Sequence, residues 1–266
     1  MGSPDDHADE ALALHIRRAG SFGAHAAAYA EHRPDYPAAA IRWALAPVAD
    51  RRPPVVLDLG AGTGKLTQGL LAAGASVIAV EPDAHMLAEL IRRFPDVTAR
   101  AGTAEVIPLR DDSVDAIIAG QAFHWFDLDR AYPEFLRVLR PGGVLAGLWN
   151  TDDDSVDWVA GLKTAAMSSV SAVQPPSGRI ALPAHPLFQE HEFERETFQH
   201  RHRRTAESLT ATIGTQSHTL VISPEERTEL LGRILDYLRK QPETAEGEFD
   251  LPIVTSALRS TLRAAD

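Results

Sequence analysis

Between Val55 and Asn150 the chain alternates short apolar runs with segments whose apolar residues recur at helical spacing. "PVVLDLG" (54–60) is a continuous apolar run closed by glycine, the pattern of a strand buried on both faces. In "GKLTQGLLAAGA" (64–75), Leu66, Leu70 and Leu71 predict one apolar helical face, and Gly74 predicts the cap that ends it. "SVIAVEP" (76–82) reads as the next strand and "PDAHMLAELIRRFP" (82–95) as a helix, opened near Pro82 and Asp83 and stopped before Pro95. A weaker strand follows at "VTARAG" (97–102) and a strong one at "VDAIIAG" (114–120). "DRAYPEFLRVLR" (129–140) predicts a helix with Pro133 in or near its first turn, and "PGG" (141–143) a turn into the strand "VLAGLWN" (144–150). Repeated βα units of this kind predict a parallel, doubly wound α/β sheet.

The pattern changes after Asn150. Residues 151–186 read as helix plus a loop containing Pro and Gly, and "EFERETFQHRHR" (192–203) alternates as a strand. "TAESLTATIG" and "SPEERTELLGRILDYLRK" predict helices, the second with Ser223 as N-cap and Pro224 in its first position. "FDLPIVTSAL" (249–258) predicts a last strand.

Composition narrows the chemistry. With 266 residues and a formal net charge of -11, the chain lacks the general basic character of a nucleic-acid binder. It has no cysteine, which excludes disulfides, thiolate catalysis and cysteine-ligated zinc. No apolar run reaches the 18 or so residues of a membrane span, and "MGSPDDHADE" lacks the layout of a signal peptide, so a cytoplasmic location is expected. The eleven histidines show neither HExxH nor a zinc spacing, and no metal is expected. In "HRHRR" (200–204), a strand places His200 and His202 on one face and Arg201 and Arg203 on a solvated or ion-paired one.

"GAGTGK" (60–65) resembles a phosphate loop at a glance. A P-loop would need glycine at Leu59 and a hydroxyl at Leu66, so that reading fails at two positions. The dinucleotide pattern Gly-x-Gly-x-x-Gly would need glycine at Lys65. What remains is Gly60-x-Gly62-x-Gly64 between a strand and a helix, preceded by Asp58 and followed by Glu81 at the end of the second strand. Backbone N–H groups and close approach suit a polar ligand at such a loop, and a carboxylate at Glu81 suits a ribose diol.

"VLDLGAGTGKLT", "VIAVEPDAHML", "GTAEVIPLRDDSVDAIIAGQAFHWFD" and "RVLRPGGVLAGLWN" together resemble the successive motifs of class I S-adenosylmethionine-dependent methyltransferases. The resemblance is to the small-molecule branch that includes trans-aconitate methyltransferase-like proteins, and it extends over about residues 22–263. It implies a Rossmann-like fold: a mostly parallel seven-stranded sheet with an antiparallel last strand, helices on both faces and a helical lid. It further implies a tail at 1–20 and one domain over 21–266, divided into cap helices (21–50), a cofactor-binding core (54–150), and lid helices with the last two strands (151–266).

The cofactor implied is S-adenosylmethionine, leaving as S-adenosylhomocysteine. Gly60, Ala61, Gly62 and Gly64 would flank its methionine part, with Asp58 beneath, near the amino group. Glu81 would bind the ribose, Pro82 and Met86 would line the adenine, and Thr103, Ala104 and Glu105 would read the adenine edge. Gln121 would stand at the end of the fourth strand, and Tyr29 and Arg33 would close over the cofactor from the cap. His124 and Trp125 would face the acceptor, His124 as a base or only as an orienting group, and Lys65 is expected to be exposed. A small-molecule acceptor follows, without nucleic acid or membrane, in a monomer or homodimer. The rival readings are a non-catalytic S-adenosylmethionine-binding regulatory module and, ranked last, a nucleotide-dependent oxidoreductase.

Overall fold

The structure, a computed structural model, describes residues 33–173 and 185–262. Seven strands run in chain order as β1 Val55–Leu59, β2 Ser76–Glu81, β3 Thr98–Ala101, β4 Val114–Gly120, β5 Leu139–Asp152, β6 Glu194–Arg204 and β7 Phe249–Thr261. They form one sheet of order β3-β2-β1-β4-β5-β7-β6. The pairs β2/β3, β1/β2, β1/β4 and β4/β5 are parallel, and β5/β7 is antiparallel. This is the mostly parallel, Rossmann-like sheet with an antiparallel last strand. Val56–Leu59 of β1 and Val114–Ala119 of β4 are buried throughout, as strands covered on both faces must be. The chain order reverses between β1 and β4, and the crevice outside the carboxyl ends of such neighbours is where an open α/β sheet holds its ligand.

Two compact units divide the chain. Among the described residues, the sheet unit draws on 34–152, 185–202 and 252–262. Its helices are α1 Ala38–Leu45, α2 Lys65–Ala72, α3 Ala84–Arg93, α4 Leu128–Val138 and the short α7 Pro186–Glu190. Gly74, at φ +84°, ends α2 in a Schellman arrangement: its N–H donates to Leu71 and that of Ala75 to Leu70. Leu66 and Leu70 are buried as expected, but Leu71 is 39% exposed, because it lies beyond the edge of the stripe those two define. Asp83 caps α3, accepting from the N–H groups of His85 and Met86.

Pro133 sits inside α4, in its second turn, near the first as expected. One boundary differs from the sequence reading. Pro141-Gly142-Gly143 does not separate helix from strand: β5 begins at Leu139 and carries those residues as an irregularity. Leu139 pairs with Val114 and Val144 with Ala116, so four β5 residues stand opposite Asp115. Gly142, at φ +72°, permits the excursion.

Among the described residues, the helical unit draws on Arg33, 153–173 and 203–251. Its described helices are α5 Asp157–Ala165, α6 Ser169–Val173, α8 Ala206–Ile213, α9 Ser217–Leu220 and α10 Pro224–Leu238. Thr205 and Ser208 cap α8 reciprocally, and Ser223 caps α10. Trp158 packs edge-on against Phe249 with centroids 5.6 Å apart, and the Tyr237 hydroxyl donates to the Trp158 carbonyl at 2.9 Å. No helix among the described residues is long and apolar enough to cross a membrane.

Candidate active site

β1 ends at Leu59 and α2 starts at Lys65, and the chain between them turns on three left-handed glycines: φ is +70° at Gly60, +56° at Gly62 and +86° at Gly64. The N–H groups of Gly60 and Ala61 both donate to the Val80 carbonyl, at 2.9 and 3.1 Å, which clamps the loop to β2. A Cβ on Gly60 would lie 2.6 Å from that of Ala122, and one on Gly64 would lie 2.6 Å from Cε2 of Phe94. A Cβ on Gly62 would meet no atom of the described residues within 4 Å. Gly60 and Gly64 are therefore small for packing as well as for backbone, whereas Gly62 leaves open space in front of the chain.

Two buried carboxylates support this loop. Glu81, the last residue of β2 and 7% exposed, accepts from the Gly62 N–H at 2.8 Å on one oxygen. Its other oxygen accepts from the Asp83 N–H at 2.9 Å. Burial pushes its carboxyl above the ordinary range, against the pull of those two bonds. Asp58, on β1, has no exposed surface. The Thr67 hydroxyl donates to its Oδ2 at 2.5 Å, and Oδ1 has no hydrogen-bond partner among the described residues. Burial pushes this carboxyl up to about 7, and the charge of Glu81 adds to the rise while Thr67 opposes it.

The remaining loops at the carboxyl ends of the strands are tied together. Thr103 and Val106 form an isolated bridge that brackets buried Ala104. Glu105 accepts from the Asp127 N–H at 2.9 Å, a bond between the loop after β3 and the one after β4. Gln121 takes a φ of +56°, and its side-chain amide donates to the Asn150 carbonyl at 2.6 Å. His124 is exposed and Trp125 half-buried, their rings 4.6 Å apart on the short 3-10 turn Phe123–Trp125. Phe123 points the other way, packing on Phe126, Phe135, Trp149 and Phe188.

A family described as "Methyltransferase domain" matches residues 57–147, the stretch from β1 to β5. Proteins named uncharacterized methyltransferase from Mycobacterium tuberculosis and Mycobacterium bovis are 41% identical to this chain over 244 residues, 91% of its length and 96% of theirs. The chain belongs to the class I S-adenosylmethionine-dependent methyltransferases. A solved structure from Anaeromyxobacter dehalogenans, described as a candidate type II methyltransferase, is similar at 29% identity and a TM-score of 0.63, covering 86% of this chain and 97% of that one. A malonyl-[acyl-carrier protein] O-methyltransferase from Methylococcus capsulatus matches a smaller part, 46% identical over 101 residues, 35% of this chain and 36% of its own.

Within this methyltransferase, the structure brings Asp58, Gly60, Ala61, Gly62, Gly64, Glu81, Gln121, His124 and Trp125 to the carboxyl ends of β1, β2 and β4. Met86 is buried on α3 and Pro82 is exposed before it. Arg33 belongs to the helical unit, where its guanidinium donates to the Thr215 carbonyl at 3.2 Å. Tyr29 lies outside the described residues. Lys65 corrects an expectation: its side chain is only 15% exposed and its ammonium pairs with Asp35 at 3.0 Å. Arg203 is exposed and ion-paired as expected, with Glu248 and Asp250. Sequence reasoning missed Tyr36, Thr67, Asn150 and Thr255. Tyr36 stands in the stretch "RPDYP" and Asn150 closes the last parallel run, and each lies near a motif without being part of its glycine or carboxylate pattern.

Proposed function

We propose that this methyltransferase binds S-adenosylmethionine in the crevice between β1 and β4 and methylates a small organic acceptor. The observation that carries the reading is the open space over Gly62, backed by the Glu81 carboxylate on the Gly62 N–H. Each Glu81 oxygen has a lone pair left for a ribose hydroxyl. The unpartnered, buried Oδ1 of Asp58 suits a cofactor that arrives with an ammonium group and a sulfonium. The cofactor supplies an electrophilic methyl group, displaced in line by the acceptor. The chain's part is alignment, which contributes most in such a displacement. We assign the adenine to the side of buried Met86 and Ala104, and the acceptor to the side of exposed His124 and half-buried Trp125. His124 would take a proton from a weakly acidic acceptor or only orient it, whereas a carboxylate acceptor needs no base. The net charge of -11 disfavours a nucleic-acid acceptor.

The test is calorimetry with S-adenosylmethionine followed by labelled methyl transfer to an acceptor panel. Carboxylic acids belong in the panel because the Methylococcus relative carries an O-methyltransferase name. No heat of binding and no transfer would overturn the reading. Glu81→Ala is expected to weaken cofactor binding by about 1–3 kcal/mol, the range for hydrogen bonds to a charged group. Unchanged affinity would remove the ribose role. His124→Ala is expected to lower turnover on an acceptor from the panel at unaltered cofactor affinity, and an unchanged rate would take His124 out of the transfer step.

A further inference from the structure

Gly120, the last residue of β4, is covered by a side chain that no motif announces. A Cβ there would meet the hydroxyl of Tyr36 at 2.6 Å, Cζ at 2.8 Å and Cε2 at 3.1 Å, so the ring lies directly against the Gly120 backbone. Tyr36 is half-buried, and its neighbour Asp35 is gripped twice. The Asp35 carboxylate accepts from Lys65, the first residue of the helix after the glycine loop. The Asp35 carbonyl accepts from Asn150 Nδ2 at 3.1 Å. Since Ala122, just beyond β4, abuts Gly60, the segment carrying Tyr36 is anchored beside both loops that bound the crevice.

Asn150 is itself fully specified. Its Oδ1 accepts from the hydroxyl of buried Thr255 at 2.6 Å, and its carbonyl accepts from Gln121 Nε2. Thr255 also lies 2.9 Å from His200 Nε2. With its one proton given to Asn150, Thr255 accepts from His200, which assigns that tautomer. The chain of bonds thus runs one way, from His200 through Thr255 to Asn150 and on to the Asp35 carbonyl. A flipped Asn150 amide, or an aspartate in its place, sets an acceptor against that carbonyl and breaks the last link.

We propose that Asn150 is a positioning residue that holds Tyr36 against Gly120, and that the Tyr36 ring forms a preset wall of the cofactor cleft. This rests on the proposed cofactor site. The test is a double-mutant cycle on the whole protein, read as the Kd for S-adenosylmethionine with melting temperature as a check on folding. Asn150→Asp is expected to weaken binding about 5-fold and Tyr36→Ala about 10-fold, and the double variant no further than Tyr36→Ala alone. Tyr36→Phe should stay within about 2-fold of wild type, because the ring and not the hydroxyl makes the wall. If Tyr36→Ala does not fold, Tyr36→Leu replaces it in the cycle. Additive losses, or a Tyr36→Phe loss equal to that of Tyr36→Ala, overturn the proposal. Failure of the wild-type protein to bind S-adenosylmethionine would instead overturn the cofactor site itself.

Discussion

Asp58→Asn is expected to stabilise the ligand-free protein at pH 8 while weakening its affinity for S-adenosylmethionine at least about 10-fold. Asp58 is wholly buried and receives one hydroxyl donor, from Thr67. Burial lifts its carboxyl from the ordinary 3.8 to about 7. Between those pH values the folded chain binds a proton that the unfolded chain has lost. The stabilisation this brings is complete below the unfolded value and is lost as pH rises through about 7. A shift of this size corresponds to about 4 kcal/mol at ~1.4 kcal/mol per pH unit. Asparagine has the same shape, still accepts from Thr67 and carries no charge. The variant should therefore gain roughly 2–4 kcal/mol over wild type at pH 8 and less than half of that at pH 5, where the folded Asp58 is neutral but the unfolded one is already ionised. Urea unfolding at the two pH values measures the difference, and equal effects at both would refute the account.

The same ionisation gives the binding its sign. A cationic ligand favours the charged carboxylate, so wild-type affinity should fall as pH drops through about 7, with proton release on binding. In Asp58→Asn that pH dependence should vanish. A site kept unstable until its ligand arrives trades stability for recognition, as functional sites commonly do.

Why the strands were legible while the supporting side chains were not has one physical source. Strands of a parallel sheet are buried on both faces, so β1, β2 and β4 appear as local apolar runs, and the glycine loop appears as a local spacing. Thr67, nine residues from Asp58, looks like any helix hydroxyl until the fold turns it onto the carboxylate. Asp35 and Asn150 meet across a separation of 115 residues, and Thr255 and Asn150 across 105. Such pairs leave no periodicity behind. The β5 boundary failed for a related reason. Pro-Gly-Gly normally punctuates, but here the bulge it forms keeps Arg140 within reach of a carboxylate on the neighbouring strand.

That carboxylate, Asp115, is the counterpart of Asp58, and its removal should unfold the protein more readily without touching the cofactor. Asp115 is the second residue of β4, at the amino end of the sheet, and its side chain is 4% exposed. Its Oδ1 accepts from Arg51 at 2.7 Å and Arg140 at 2.9 Å, and its Oδ2 accepts from the Val55 N–H at 2.7 Å. Burial pushes its carboxyl up, but the Val55 N–H and the two arginines together outweigh that and hold it below the usual carboxylate range. Two aspartates on adjacent strands thus ionise in opposite senses, one starved of donors and the other surrounded by them. Asp115→Ala leaves a strand N–H unpaired and two guanidiniums facing each other, and should cost roughly 2–4 kcal/mol, moderated by the water that reaches the arginines. With a folded-state value below the unfolded one, Asp115 contributes its stability above about 3.8 and loses it as pH falls through its own lower value. The penalty of Asp115→Ala should accordingly be full at pH 7 and shrink in strong acid, the reverse of the Asp58 profile. Because the substitution lies at the opposite end of the strands from Gly62 and Glu81, the Kd for S-adenosylmethionine should stay within about 2-fold of wild type. A loss of affinity matching that of Asp58→Asn, or a stability cost under about 0.5 kcal/mol at pH 7, would show that this cluster does not do what its geometry implies.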